Sequence, residues 1–318
     1  MNGPGNLKVA VRNCFFFLFL NLVAHCSLRA ESKFTVEAGG SQIEVSAGAG
    51  FARLSEAQLK HWVQSAADAV VAYYGHFPVP HLELHIKPFD GQGVRGGQTF
   101  SMHGGFIRIA IGNDTAPEEL ASDWMLTHEM VHLTFPSVPD EHHWIEEGIA
   151  TYVEPLARIQ AGQFSSARMW FELIRDMPKG LPQAGDRGLD HTHTWGRTYW
   201  GGALFCFLAD IEVRKQTQNK LGLQDALRGI LDAGGDMRED WELEKALTAG
   251  DRAVGVEVLM KLYVQMRDRP MEPDLPALWK QLGIRQGDGV AQFDDSAPLA
   301  AIRKSITAAR RDTKHPRQ

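Results

Sequence analysis

LTHEMVHLTFPSVPDEHHWIEEGIATYVEP, residues 126 to 155, decides how the rest of the chain is read. It places His128 and His132 four residues apart with Glu129 between them. On a helix, four residues turn through about 400°, so both imidazoles project from one face, one turn apart. That spacing suits two nitrogens on one small tetrahedral ion at about 2 Å. Glu129 lies about 100° further round from His128, beside the water such a site carries and outside the ligand set. A carboxylate there can take the proton as the water attacks a carbonyl. His-Glu-x-x-His also arises by chance, on a solvated helix with no function. The neighbours Met125, Leu126, Val131 and Leu133 argue for a largely buried helix instead. Burying two histidines and a glutamate without partners would cost several kcal/mol, a cost that a metal removes.

A site that leaves one position open for water needs a third protein ligand. The next helix offers adjacent carboxylates at Glu146 and Glu147, which point about 100° apart, so only one can face the first helix. Geometry leaves both open. Ile145, Ile149 and Tyr152 form an apolar stripe, Glu147, Thr151 and Glu154 form another face, and Gly148 allows close helix approach.

The 318 residues are 44% hydrophobic and 23% charged, enough apolar material for one large or two modest lobes with a real core. The net charge of −6 gives no bulk attraction for nucleic acid. The basic tail, IRKSITAARRDTKHPRQ, reads as a solvated helix end and terminus. Lys8 and Arg12 precede the apolar run CFFFLFLNLVA, and SLRA follows before Glu31, so residues 1–30 read as a signal peptide. The expected location is secreted or periplasmic, with no transmembrane span in the mature chain, because the run is too short to cross a bilayer comfortably. Lipid anchoring at Cys26 is not expected, because His25 stands where a small residue is needed. Removal of residues 1–30 takes away Cys14 and Cys26, leaving Cys206 in an apolar run as a buried small hydrophobe.

Along the chain, KFTVEA and SQIEVSA read as a hairpin across Gly39-Gly40. A helix capped by Ser55 runs to Gly75, LELHIKPF and FIRIAIG are strands, and DGQGVRGGQTFSMHGG between them is glycine-rich. Residues 31–114 thus form a small sheet lobe with one helix. Thr115 and Glu118 form a capping box that starts one helix running to Phe135, and a second spans roughly His143 to Ala161. Further helices are expected at about 198–216, 223–232, 240–248, 254–266, 275–282 and 296–309. Residues 115–318 are therefore mainly α. The fold class is α+β, with the two lobes forming one catalytic unit.

His-Glu-Met-Val-His followed by WIEEGIATYVE resembles the gluzincin metallopeptidases, which include aminopeptidase N, the glycyl aminopeptidases and peptidase MA-like proteins. The resemblance implies a thermolysin-like unit with a cleft between a sheet lobe and a helical lobe. It implies one zinc ion on His128, His132 and Glu147, the glutamate directly before the glycine. It implies a peptide or protein substrate, with Glu129 as general base. RTYWGGALFCFLADIEVRKQT resembles the family's Tyr-x-x-Gly-Ala helix, which implies that Tyr199 donates to the developing oxyanion. GGQTFSMHGGFIRIAIG resembles the glycine-rich segment and edge strand of the gluzincin cleft, where an extended peptide can pair. The Gly-x-Met-Glu-Asn stretch that holds a free substrate amine in aminopeptidase N has no match, so aminopeptidase specificity does not carry over. The rival function is a catalytically inactive gluzincin-fold protein that binds a peptide or a protein partner. The pairs His142/His143 and His191/His193 are candidates for a second metal site or oxyanion donors, with solvated loop histidines the plainer reading.

Overall fold

A computed structural model describes residues 31–101 and 104–309; the expected signal peptide lies outside them. The hairpin forms as read: β1 (Ser32–Ala38) and β2 (Ser41–Ala47) are antiparallel, joined by Gly39 and Gly40 at φ +56° and +88°. Positive φ at both turn residues matches the right-handed strand twist and explains the two glycines. Helix α1 (Glu56–Tyr74) follows. The Ser55 side chain accepts from Gln58 N while Gln58 Oε1 accepts from Ser55 N, and Gly75 ends the helix at φ +89°. Because β3 (His81–Phe89) runs parallel to β2, a crossover is required, and α1 supplies it. Strands β4 (Val94–Phe100) and β5 (Phe106–Gly112) complete a mixed sheet in the order β1-β2-β3-β5-β4. Ile43, Val45, Leu82, Leu84, Ile86, Ile107, Ile109 and Ile111 alternate onto one fully buried face.

Among the described residues β4 pairs with β5 alone, so it is the sheet edge. Its register shifts between Arg95 and Gln98, where Gly96 has φ +64°. Such a bulge bends the edge locally.

The helical lobe departs from the sequence reading at its start. Where one helix was expected, α2 (Pro117–Ala121) ends and α3 (Met125–His132) begins anew. Asp123 is the reason: its carboxylate accepts the amides of Met125 and Leu126 at 3.1 Å each, capping the second helix. The cap of α2 also shifts by one residue. Glu119 Oε2 accepts from Ala116 N, and the Thr115 hydroxyl instead accepts from Gly93 N at 2.9 Å. Helix α4 (His143–Gln160) carries Pro155 without breaking. Helix α5 (Ser166–Asp176), absent from the sequence reading, is capped by Ser165. The segment Gly196–Gly201 is a π-helix, leading into α6 (Gly202–Gln216). The chain continues through α7 (Leu223–Asp232), α8 (Leu243–Val254), α9 (Leu259–Met266) and α10 (Leu275–Leu282). A short hairpin, β6 (Ile284–Gln286) with β7 (Ala291–Phe293), also unanticipated, precedes α11 (Ala300–Thr307).

One buried apolar cluster runs from the sheet through α1 into the helices. Cys206 lies within it, 1% exposed, as the sequence suggested. Trp144, at the start of α4, is also buried and donates its indole N–H to Asp190 Oδ1 at 2.8 Å. The tightest helix contact lies between α4 and α6: a Cβ on Gly148 would stand 2.3 Å from the carbonyl carbon of Gly202. No described helix is long and apolar enough to cross a membrane.

Gly148→Ala therefore forces backbones apart. The expected loss is about 1–3 kcal/mol or more, the range for overpacking, read as a lowered midpoint in denaturant unfolding. An unchanged midpoint would show that the α4–α6 contact yields freely.

Candidate metal centre

Helix α3 projects His128 and His132 into a cleft beneath the β4 edge, and α4 projects Glu147 to meet them. Glu147 Oε2 lies 3.2 Å from His128 Nε2 and 3.6 Å from His132 Nε2. One ligand atom from each of the three can be chosen so that all lie within 4.8 Å of one another. Two donors on a tetrahedral ion at about 2 Å stand roughly 3.3 Å apart, so the carboxylate–imidazole spacings fit a shared ion. The choice that helix geometry left open is thereby made. Glu146 turns away, with Oε2 at 2.9 Å from His143 Nδ1 and Oε1 accepting from Val138 N at 3.3 Å.

Protonation states also fit. Metal ligands must be deprotonated. Burial, reinforced by neighbouring His128, pushes the His132 pKa down to about 3, keeping its ring neutral. Burial alone would raise Glu147, but hydrogen bonds to His128 and His143 outweigh it and hold its carboxyl well below the usual range. The donor set is thus two imidazoles and one carboxylate, with the His132 and Glu147 donors in the forms a divalent cation binds.

Glu129 is buried and faces β4 rather than joining the trio. Thr99 Oγ1 donates to Glu129 Oε2 at 2.6 Å and lies 2.9 Å from its carbonyl oxygen. Gly97 packs so closely that a Cβ there would stand 2.5 Å from Glu129 Oε1. Burial raises the Glu129 pKa, against the opposing bond from Thr99. Sequence reading missed Thr99 and Gly97 as contacts of Glu129. Their only signal was membership of the glycine-rich stretch, which does not show what it lies against.

Tyr199 stacks on His128 with ring centroids 6.4 Å apart and planes 19° from parallel. Burial and then the charge of Glu147, to which its hydroxyl bonds, raise its pKa to about 12, so it stays a donor. Buried Arg197 fixes the π segment, with Nε 2.7 Å from Asp186 Oδ2 and Nη1 donating to Gly180 O at 2.5 Å.

The remaining histidines separate. His142 is buried with Nδ1 3.1 Å from Asp190 Oδ1, away from the trio. His143 stands beside the site, its Nε2 3.4 Å from Glu147 Oε1. His191 Nε2 lies 3.0 Å from Asp268 at the surface, and His193 is exposed. Among the described residues only His128, His132 and Glu147 form a group able to hold a metal. Glu154, on the same helix face as Glu147, binds Arg158 Nη1 at 2.8 Å, and buried His128 Nδ1 has no protein hydrogen-bond partner.

No protein-family model and no curated protein matches the chain. Solved structures do. The chain is similar to an aminopeptidase N family protein from Idiomarina loihiensis, with TM-score 0.60 and 12% identity over 80% of this chain and 49% of that one. It is similar to an M1 zinc metallopeptidase from Deinococcus radiodurans, with TM-score 0.50 and 16% identity over 76% and 53%. A variant two-domain M1 zinc metallopeptidase bound to L-arginine gives TM-score 0.51 and 16% identity over 77% and 54%. The likeness is one of fold: a mixed-sheet lobe followed by a helical lobe. The chain spans about half the length of these structures.

Half-exposed His143 gives a pH test in chelator-treated protein. Hydrogen bonds to Glu146 and then Glu147 raise its pKa to about 10, against about 6.5 unfolded. Its contribution is complete below about pH 6.5 and declines as pH rises toward 10. Denaturant unfolding at pH 6 and pH 9 should show a larger loss for wild type than for His143→Ala. Equal losses would remove His143 from the balance.

Proposed function

We propose that the protein is a zinc-dependent peptidase of gluzincin type. The convergence of His128, His132 and Glu147 beside a braced Glu129 carries this reading. A zinc ion held by those three ligands would supply a Lewis acid and a water of pKa lowered toward about 7. Glu129 takes the proton from the attacking water and returns it to the leaving amine. Its raised pKa favours that return, and Thr99 fixes the carboxylate's direction. The Tyr199 hydroxyl donates to the carbonyl oxygen as charge develops there. A peptide in extended form can add to the open edge of β4, which lines a cavity of about 580 Å³ with His128, Glu129 and His132. The substrate is a peptide or protein, met outside the cytoplasm, and residues 1–30 direct export.

Glu129→Gln should abolish peptide hydrolysis in a peptide-library assay while zinc content by atomic absorption stays near one ion per chain. Retained cleavage would remove Glu129 from its role. Failure of zinc-loaded wild type to cleave any peptide would favour a binding protein of this fold. Tyr199→Phe should lower kcat by roughly 100- to 1000-fold, the range for losing one oxyanion donor, with KM changed far less.

A further inference from the structure

A second cavity, of about 700 Å³, opens on the other side of the metal centre and shares His128 and Tyr199 with the β4 side. Trp124, Trp195, Tyr199 and Trp200 line it beside several charged side chains. Trp124 is 50% exposed and Trp195 is 60% exposed, both among the few large apolar side chains open to solvent among the described residues. Neither stands apart from the site. Trp124 meets the His128 ring edge-on with centroids 5.5 Å apart, and Trp195 stacks on Tyr199 at 5.7 Å and 27°. The π-helix explains the rest of the wall. An i to i+5 turn brings Trp195 and Trp200 towards the side that Tyr199 occupies, and all three line the cavity. Phe164 also lines it, with the Arg158 and Arg168 guanidinium groups over its ring.

The cations that line this cavity are already paired, while the exposed carboxylate of Glu118 stands at its rim. Arg158 binds Glu154 at 2.8 Å, Arg168 binds Glu172 at 3.0 Å, and Arg175 and Lys179 share Asp176 at 2.5 and 2.8 Å. Lys179 Nζ also lies 5.8 Å from the centroids of both Trp195 and Trp200. An anionic guest would have to break one of these pairs, whereas an aromatic guest would cover exposed indole surface at no such cost.

We propose that this cavity is a specificity subsite for a large aromatic side chain at a residue flanking the scissile bond, with Trp124 and Trp195 as its two jaws. The assignment rests on the peptidase reading above and names the substrate class for it. The indoles act on binding, not on the bond-breaking step.

The test uses zinc-loaded full-length mature protein and quenched peptides identical except at the residues flanking the cleaved bond, placing Phe, Ala, Glu or Arg there. Wild type should prefer Phe over Ala by roughly 10- to 100-fold in kcat/KM, the range set by burying one aromatic side chain. Trp124→Ala and Trp195→Ala should each pull the Phe/Ala ratio toward one, mainly through KM, while the unfolding midpoint holds. A second readout is independent of turnover: tryptophan fluorescence of zinc-loaded Glu129→Gln titrated with the same peptides. The Phe peptide should bind more tightly than the Ala peptide, and Trp195→Ala in that background should erase the difference. Cleavage without side-chain preference, or a preference for Glu or Arg, overturns the subsite while the peptidase reading stands. Selective Phe binding without any cleavage supports the subsite and defeats the peptidase reading. Equal binding of Phe and Ala peptides overturns the subsite whatever the turnover.

Discussion

The contact between Gly148 and Gly202 is the constraint on which the site depends. Two helices normally keep their axes 8–10 Å apart because side chains separate them. Here α4 and α6 touch backbone to backbone, because neither residue has a Cβ. Gly148 follows Glu147 directly, and Gly202 follows the π-helix that carries Tyr199. One short interface therefore sets the third candidate ligand and the candidate oxyanion donor relative to each other. The buried indole of Trp144, tied to Asp190, fixes α4 one turn earlier, so the seat of Glu147 is held from both sides.

The second contribution comes from the sheet. Strand β4 is an edge strand with glycine where it passes over α3, and this lets the Glu129 carboxylate lie against Gly97 while Thr99 holds one oxygen. The same edge has backbone groups free to pair with an extended chain. A single strand thus orients the candidate base and, on the proposed reading, would also offer a track for a substrate. On the opposite side the second cavity differs in kind, with exposed indoles beside cations that are already paired. The trio lies between a surface suited to backbone and a surface suited to a side chain.

Part of this was legible in the residues. The His-Glu-x-x-His spacing needs only helical periodicity, which is a local property; α4 formed where the pattern placed it, and the motif is helical on α3. The hairpin over Gly39-Gly40, the Ser55 cap and the Gly75 stop were equally local. The errors were local too, but arose from competing partners. Asp123 looked like one more polar residue in a long helix, yet its carboxylate caps α3 and splits that helix in two. Thr115 looked like a cap, yet its hydroxyl serves Gly93, far away in sequence. The β6–β7 hairpin, only 3 residues a strand, was too short to show an alternating pattern.

By itself the sequence determined most of the element types, the two histidines on one helical face and the presence of two candidate glutamates on the next helix. Each of these follows from a repeat of 2 or about 3.6 residues, which the order of residues encodes directly. Tertiary structure decided, where residue spacing left it open and only the resemblance pointed to it, that Glu147 and not Glu146 turns to the imidazoles; it alone decided that Thr99 braces Glu129 and that His142 and His143 part company. It also decided that Trp124 and Trp195, 71 positions apart, face one cavity. Those outcomes depend on how closely backbones approach and on which distant group reaches a polar atom first, and neither is written in the spacing of residues along the chain.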